Sequence, residues 1–218
     1  MRTGFFRSAV GGRAAGLAAA LLATAALLPL CGCEDLLGEE PKPPVRLGTR
    51  TLLVLPFATP NRKHFESGIG RAFSLIVAEL VRNGCPGAKV IDAGQLPETI
   101  EGRPLGEFSV IELGTLFKAA YVAVGEIHEL RTKDPGSYKV LKGSMVLSAR
   151  VLDIEMGGVA WQMDRKKFHY PRLVVGEALP AETEDEEEVA RGVMREGAWA
   201  IAGVFRKPRS YEDVRLGR

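Results

Sequence analysis

Two periods of hydrophobicity divide the chain after residue 50. Short unbroken apolar runs alternate with stretches in which apolar residues recur every three or four positions. Thr51-Leu52-Leu53-Val54-Leu55-Pro56-Phe57 is continuous, which predicts a strand buried on both faces inside a helix-covered sheet, ended by proline. Phe65, Ile69, Phe73, Ile76 and Leu80 then follow at helical spacing to about Asn83, with Gly84 as the stop. Ser67-Gly68-Ile69-Gly70 interrupts that predicted helix, its glycines permitting close packing. A second short strand is expected at Ala88 to Asp92, and a second helix from Phe108 to Ala119 with Val110, Leu113 and Phe117 on one side. Tyr121-Val122-Ala123-Val124-Gly125-Glu126-Ile127 predicts another buried strand.

Beyond Ile127 the period drops to two. Met145, Leu147, Ala149 and Val151 alternate with their neighbours, as do Val159, Trp161 and Met163, and Met156-Gly157-Gly158 lies between them. That pattern predicts a β-hairpin with a glycine turn. Glu182 to Glu188 leads into Val189, Val193, Ala200, Ile201, Val204 and Phe205, a C-terminal helix. Thr183 and Glu186 have the spacing of a capping box, and acids in a first turn oppose the helix dipole. The acidic run reads as a helix start, with a partner-binding patch as the alternative. The order strand, helix, strand, helix, strand, hairpin, helix implies an α/β (α+β) fold. One domain is expected, a mixed sheet with the hairpin towards its C-terminal side, helices packed on it and a final helix. No internal repeat is present.

The N-terminus has a different character. Arg2, Arg7 and Arg13 precede Ala14 to Leu30, which carries no charge, and then comes Leu30-Cys31-Gly32-Cys33. A basic segment, an apolar segment and a small residue before a cleavage point describe a secretory signal peptide. Ending on cysteine, it resembles a bacterial lipoprotein signal. The resemblance implies cleavage before Cys33, whose thiol then carries the lipid. Cys33 fits with Gly32 before it, whereas cleavage before Cys31 would put Leu30 at the position that needs a small residue. An uncleaved membrane anchor is the first alternative and a soluble secreted product the second. Glu34 to Gly48, with Pro41, Pro43 and Pro44, reads as an extended polar tether. The expected organisation is therefore 1–32 signal peptide, 33–48 lipidated tether, 49–207 a single domain and 208–218 a tail.

The signal changes the charge. The 218-residue chain has 29 Lys+Arg against 27 Asp+Glu, but residues 1–32 hold three arginines and no acid. What remains is nearly balanced, so nothing points to nucleic acid, which needs concentrated basic residues. With Cys31 removed and Cys33 lipidated, Cys85 stands alone and no internal disulfide is expected. It lies in Asn83-Gly84-Cys85-Pro86-Gly87, a turn, and reads as a partly buried bystander, with an intermolecular disulfide as the alternative.

Chemistry is sparse. His64, His128 and His169 are far apart, and there is no His-Glu-x-x-His or Cys-x-x-Cys spacing for a metal. No Gly-x-Ser-x-Gly elbow and no phosphate-binding Gly-Lys-Ser/Thr loop occur. Asp92 and Glu126, at strand ends, are the best candidates for a carboxylate pair, but acids at strand ends are common. Tyr121 and Trp161 read as core residues. No catalytic residue, cofactor or metal is expected, and the chain is not expected to be an enzyme.

Three segments together resemble a group of bacterial envelope proteins. They are Leu52 to Phe57, Tyr121-Val122-Ala123-Val124-Gly125-Glu126-Ile127, and Ser148 to Trp161 with its Arg150-Val151-Leu152-Asp153, turn, tryptophan. The group includes the amino-terminal domain of TolB, the curli secretion lipoprotein and the lipoprotein activators of penicillin-binding proteins. The resemblance covers about Thr49 to Phe168. It departs at Ala119-Ala120, where an acid usually precedes the tyrosine, and at Met156, where a threonine is usual. It implies a small α/β domain that binds other proteins. A shared membrane barrel of the curli kind needs long lipid-facing strands. The only place for an extra hairpin is Arg131 to Gly143, short and with four lysines or arginines, so a pore is not expected.

The functional expectation is a membrane-anchored lipoprotein acting by protein contacts in cell-envelope assembly or maintenance. Palmitate-type acyl chains on Cys33 would hold it, and Glu34 at the following position favours the outer membrane, facing the periplasm. A subunit of an oligomeric export or surface-organelle apparatus is the alternative, and an envelope hydrolase or ligand-binding protein the second.

Overall fold

The structure is a computed structural model and describes residues 43–134, 137–171 and 185–206. The signal peptide (1–32), Cys33, most of the tether, Thr183 and the tail (208–218) lie outside the described residues.

Strand β1 (Thr51–Val54) pairs in parallel with β2 (Lys89–Ile91) on one side and with β5 (Tyr121–Asp134) on the other. Antiparallel pairing then adds β6 (Ser137–Asp153) and β7 (Gly158–Tyr170), giving the sheet order β2-β1-β5-β6-β7. A small ribbon, β3 (Thr99–Ile100) with β4 (Arg103–Pro104), stands apart. The mixed α/β fold is as the hydrophobic pattern predicts.

One face of the sheet carries helix α1 (Gly68–Gly84) and the C-terminal helix, which packs against it. There Leu52, Val54, Ala123, Ile127, Met145 and Leu147 meet Phe73, Val77, Val193 and Ile201 in the larger core. The opposite face of β1 and β5 is covered by the short helix α2 (Val110–Leu116), and Leu53, Leu55, Val122 and Val124 meet Leu113 there. β1 is thus buried on both sides, which is why it is apolar throughout. Each fully buried Leu or Val contributes about 1.5–3 kcal/mol.

Several elements differ from expectation. The Ser67–Gly70 segment does not interrupt α1 but begins it, since the Ser67 hydroxyl accepts the Gly70 N–H as an N-cap. A Cβ on Gly70 would lie 1.7 Å from the Phe57 carbonyl oxygen, so its missing side chain lets helix and strand end touch. Helix α2 is shorter than the predicted 108–119. Its start carries a capping box, Ser109 with Glu112, and its end at Leu116 is followed by Lys118 in a left-handed conformation. The C-terminal helix α3 (Glu186–Ala202) starts at Glu186 under Asp185, whose carboxylate accepts the Glu187 N–H, so Glu186 is the first helical residue and not the third.

The tether also ends earlier than expected. Val45 and Leu47 are buried in the larger core, and the Val45 N–H donates to the Val204 carbonyl. Two apolar residues suffice to dock the segment where the 3₁₀ turn Gly203–Phe205 offers the Val204 carbonyl as acceptor. The Arg131–Gly143 segment is strand in both arms of a long β5–β6 hairpin. Its polarity hid it, because support comes from α3: Lys133 pairs with Glu186, Thr132 donates to the same carboxylate, and Gly143 lies against Val189 and Val193.

Candidate interaction face

The antiparallel half of the sheet has one face against α3 and one face that no described element covers, the open face below. Strand β6 alternates buried and half-buried residues from Gly143 to Ala149, the period of a strand with only one covered face. The open face carries Ser148 and Arg150 on β6, with Arg150 directly opposite Gln162 of β7 and Val124 of β5.

Two irregularities converge on Ser148. In β5 the register slips between Ile127 and Glu129, so His128 is an extra residue; in β7 it slips at Asp164 and Arg165, with Arg165 left-handed. Each bulge turns a side chain towards the strand between them. The Ser148 hydroxyl donates to Asp164 Oδ1 at 2.8 Å and accepts the Arg165 N–H at 2.9 Å, and His128 Nε2 lies 2.7 Å from it. A hydroxyl has one proton, and Asp164 takes it, so His128 donates through Nε2. Glu126 Oε1 stands 3.4 Å from His128 Nδ1.

Serine, histidine and acid in a row invite comparison with a nucleophilic triad. In a triad the hydroxyl gives its proton to the imidazole. Here the proton points to Asp164 and the oxygen is already accepting two donors. The arrangement pins three strands together across two bulges.

Beside this pin is a hollow of about 410 Å³ lined by His64, Glu126, Ser148, Arg150, Gln162 and Asp164. His64 lies 3.0 Å through Nδ1 from the Pro56 carbonyl. A carbonyl only accepts, so Nδ1 holds the proton and Nε2 stays available. The lining presents donors and acceptors of both charges, the composition of a surface that recognises polar groups.

The other candidates fall elsewhere. Asp92 is buried, ion-paired with Arg82, and accepts the Gly94 N–H. Arg82 also donates to the Val90 carbonyl, so the pair fastens α1 to the end of β2. β1 separates Asp92 from Glu126, about 10 Å across the sheet, and their partners differ. They form no pair. Tyr121 is in the core with its hydroxyl accepting from Arg50, and Trp161 packs at the core edge. Cys85 follows α1 as its C-cap; its thiol donates to the Phe205 carbonyl, and burial raises its pKa against the opposing effect of Arg206. A raised pKa leaves little thiolate, as the bystander reading requires.

Sequence reasoning missed Ser148, Gln162 and Asp164, and His128 only as a member of a site, because bulges bring them together. Among the described residues no three His, Cys, Asp or Glu side chains gather as metal ligands, and no helix is long and apolar enough to cross a membrane.

No family model and no curated protein matches the chain. Solved structures do. The PelC dodecamer from Paraburkholderia phytofirmans is similar at 14% identity over 78% of this chain and 96% of that one, with a TM-score of 0.47. Lipoprotein GNA1162 from Neisseria meningitidis is similar at 15% identity over 65% and 91%, TM-score 0.41. TolB from Acinetobacter baumannii is similar at 12% identity over 75% of this chain and 28% of that one, TM-score 0.35. The structural likenesses thus include TolB and a bacterial lipoprotein, in keeping with the envelope group that the sequence resembles. At these TM-scores they carry no argument about activity.

Proposed function

We propose that the chain is a lipid-anchored envelope protein whose domain works by contact with another protein through the open face of β5, β6 and β7. The observation that carries this reading is the pinned face itself. Bulges normally end or bend a strand, yet here three hydrogen bonds on one hydroxyl hold a polar hollow in shape on an exposed surface. A preformed polar surface loses little entropy on docking. The domain does so without chemistry of its own.

Cys33 supplies the membrane attachment. A single acyl chain binds marginally, at about 0.8 kcal/mol per buried CH₂, so two or three chains make attachment stable. Attachment raises the local concentration of the domain near membrane partners. Glu34 after Cys33 supports the outer membrane, with the domain facing the periplasm.

Two measurements test the reading. Intact mass of membrane-extracted protein should show cleavage before Cys33 plus acyl chains, lost in Cys33→Ala. A photo-cross-linker at the exposed Gln162 should give a discrete protein adduct in membranes. One at Glu79, on the solvent side of α1, should not. A full-length unmodified mass would overturn the anchor, and absence of any Gln162 adduct would overturn the contact face.

A further inference from the structure

We propose that the open face docks an acidic, extended segment of the partner, whose carboxylates meet Arg150, Arg165 and Lys167. This deepens the contact reading above and rests on it. It starts from which charges on the face are already satisfied.

Among the described side chains of β5, β6 and β7, every acid is engaged. Glu126 faces His128, Glu129 is ion-paired with Arg131, Asp153 accepts the Met156 N–H, and Asp164 accepts the Ser148 hydroxyl. The bases divide differently. Lys133 pairs with Glu186, and Lys166 lies over the Phe168 ring on the helix side. Arg150, Arg165 and Lys167 are exposed, and among the described residues none of their side chains has a carboxylate or hydrogen-bond partner. Among the described side chains of these strands, the charged groups without a hydrogen-bond or ion-pair partner are therefore all cations, while Asp153 and Asp164 keep their charge because their partners are neutral.

The three cations lie on neighbouring strands, Arg150 on β6 and Arg165 and Lys167 on β7. Arg150 lies at one end of the hollow. Lys167 is opposite Val146, two residues from Ser148 and so on the same face, and Arg165 projects from the bulge between them. Residues 146 and 150 are about 14 Å apart along a strand, which is the length of about four residues of an extended peptide. Carboxylates spaced about four residues apart would reach both ends, while backbone groups between them meet Gln162 and the free Nε2 of His64 in the hollow.

The acids decide between a peptide and an anionic membrane. Glu126, Glu129 and Asp164 share the face, and a flat sheet of phosphates would be set against all three. An extended peptide can pass its carboxylates between them. Each contact is exposed and individually weak, so docking gains specificity and association rate and weakens with salt.

The test uses the full chain in detergent and two fluorescein-labelled peptides with a serine-glycine background, one with glutamate and one with lysine at every fourth position. Fluorescence anisotropy should show the glutamate peptide bound at least about tenfold more tightly than the lysine peptide, with binding reduced by salt. Arg150→Glu with Lys167→Glu should weaken it about tenfold or more while leaving the thermal melt unchanged, and Glu126→Gln should not weaken it. Equal binding of both peptides, no binding of either, or an unaffected double variant would overturn the proposal. So would tighter binding of short-chain phosphatidylglycerol than of the glutamate peptide, which would mean a lipid surface. If the Gln162 cross-linker still captures its partner while the glutamate peptide fails, the contact face stands and only the acidic partner falls. If the adduct is absent too, both fall.

Discussion

The Phe57 ring rests on the bare backbone of Gly125. A Cβ there would lie 2.5 Å from the ring and 2.2 Å from the Ser148 carbonyl oxygen. Phe57 also meets Phe73 edge to face, with centroids 4.7 Å apart at 85°. Two of the three segments that carried the family resemblance, the strand ending in Pro-Phe and the run containing Val-Gly-Glu, are thus one packing unit. Gly125→Ala is expected to cost about 3 kcal/mol, because neither a carbonyl nor a fully buried ring can move aside. Gly158→Ala, where a Cβ meets nothing within 4 Å, should stay close to wild type. Urea unfolding of the two variants checks this, and equal midpoints would refute it.

Asp92 and Arg82 make the second prediction. Removing the carboxylate in Asp92→Ala leaves the Gly94 N–H without its acceptor and Arg82 without its counter-charge. Arg82 is partly exposed, so water recovers some of the loss, and about 1–3 kcal/mol is expected. The double variant Arg82→Ala/Asp92→Ala should be less than additive in a double-mutant cycle.

Ser148→Ala should separate the pin from the core. The change removes a hydroxyl that serves His128, Asp164 and the Arg165 N–H at once. A loss of about 1–2 kcal/mol follows. Hydrogen exchange at the Arg165 amide should accelerate while amides of β1 keep their protection. Uniform acceleration across the sheet would show that the pin is not local.

His169 gives a pH dependence. Its folded pKa lies below the ordinary histidine value because burial disfavours the charged ring, and nearby Lys167 adds to the effect. The neutral form is therefore favoured in the fold. Its contribution is present above the unfolded pKa, about 6.5, and is lost as pH falls through the folded value. Thermal stability should decline on acidification below about pH 6.5, and His169→Phe should remove part of that decline. A variant with an unchanged slope between pH 7 and pH 5 would exclude His169 as a source.

Legibility followed the cause of each element. β1 and the first half of β5 are buried on both faces, so their composition alone shows them, and the β6–β7 pair is visible in the alternation of Met145 to Val151. The distal hairpin is stabilised by Glu186 from a remote helix, and nothing local in Arg131 to Gly143 reports that. The seam of His128, Ser148 and Asp164 depends on one extra residue in each of two strands. Twenty residues separate His128 from Ser148 and sixteen separate Ser148 from Asp164, and a period-two reading places no bulge. The Ser109–Glu112 capping box was a readable signal, and it would have set the start of α2 one residue after Ser109.

The junction of Val45 with Val204 has a mechanical consequence. The described chain enters at Pro43 beside its own last 3₁₀ turn, and Val45 and Leu47 insert on the helix-bearing side of the sheet. A pull on residue 43 is borne first by one hydrogen bond and two side chains in that layer. The strands lie further along the load path, so the junction yields while the sheet holds its register, and the face bearing Arg150 keeps its shape under tension.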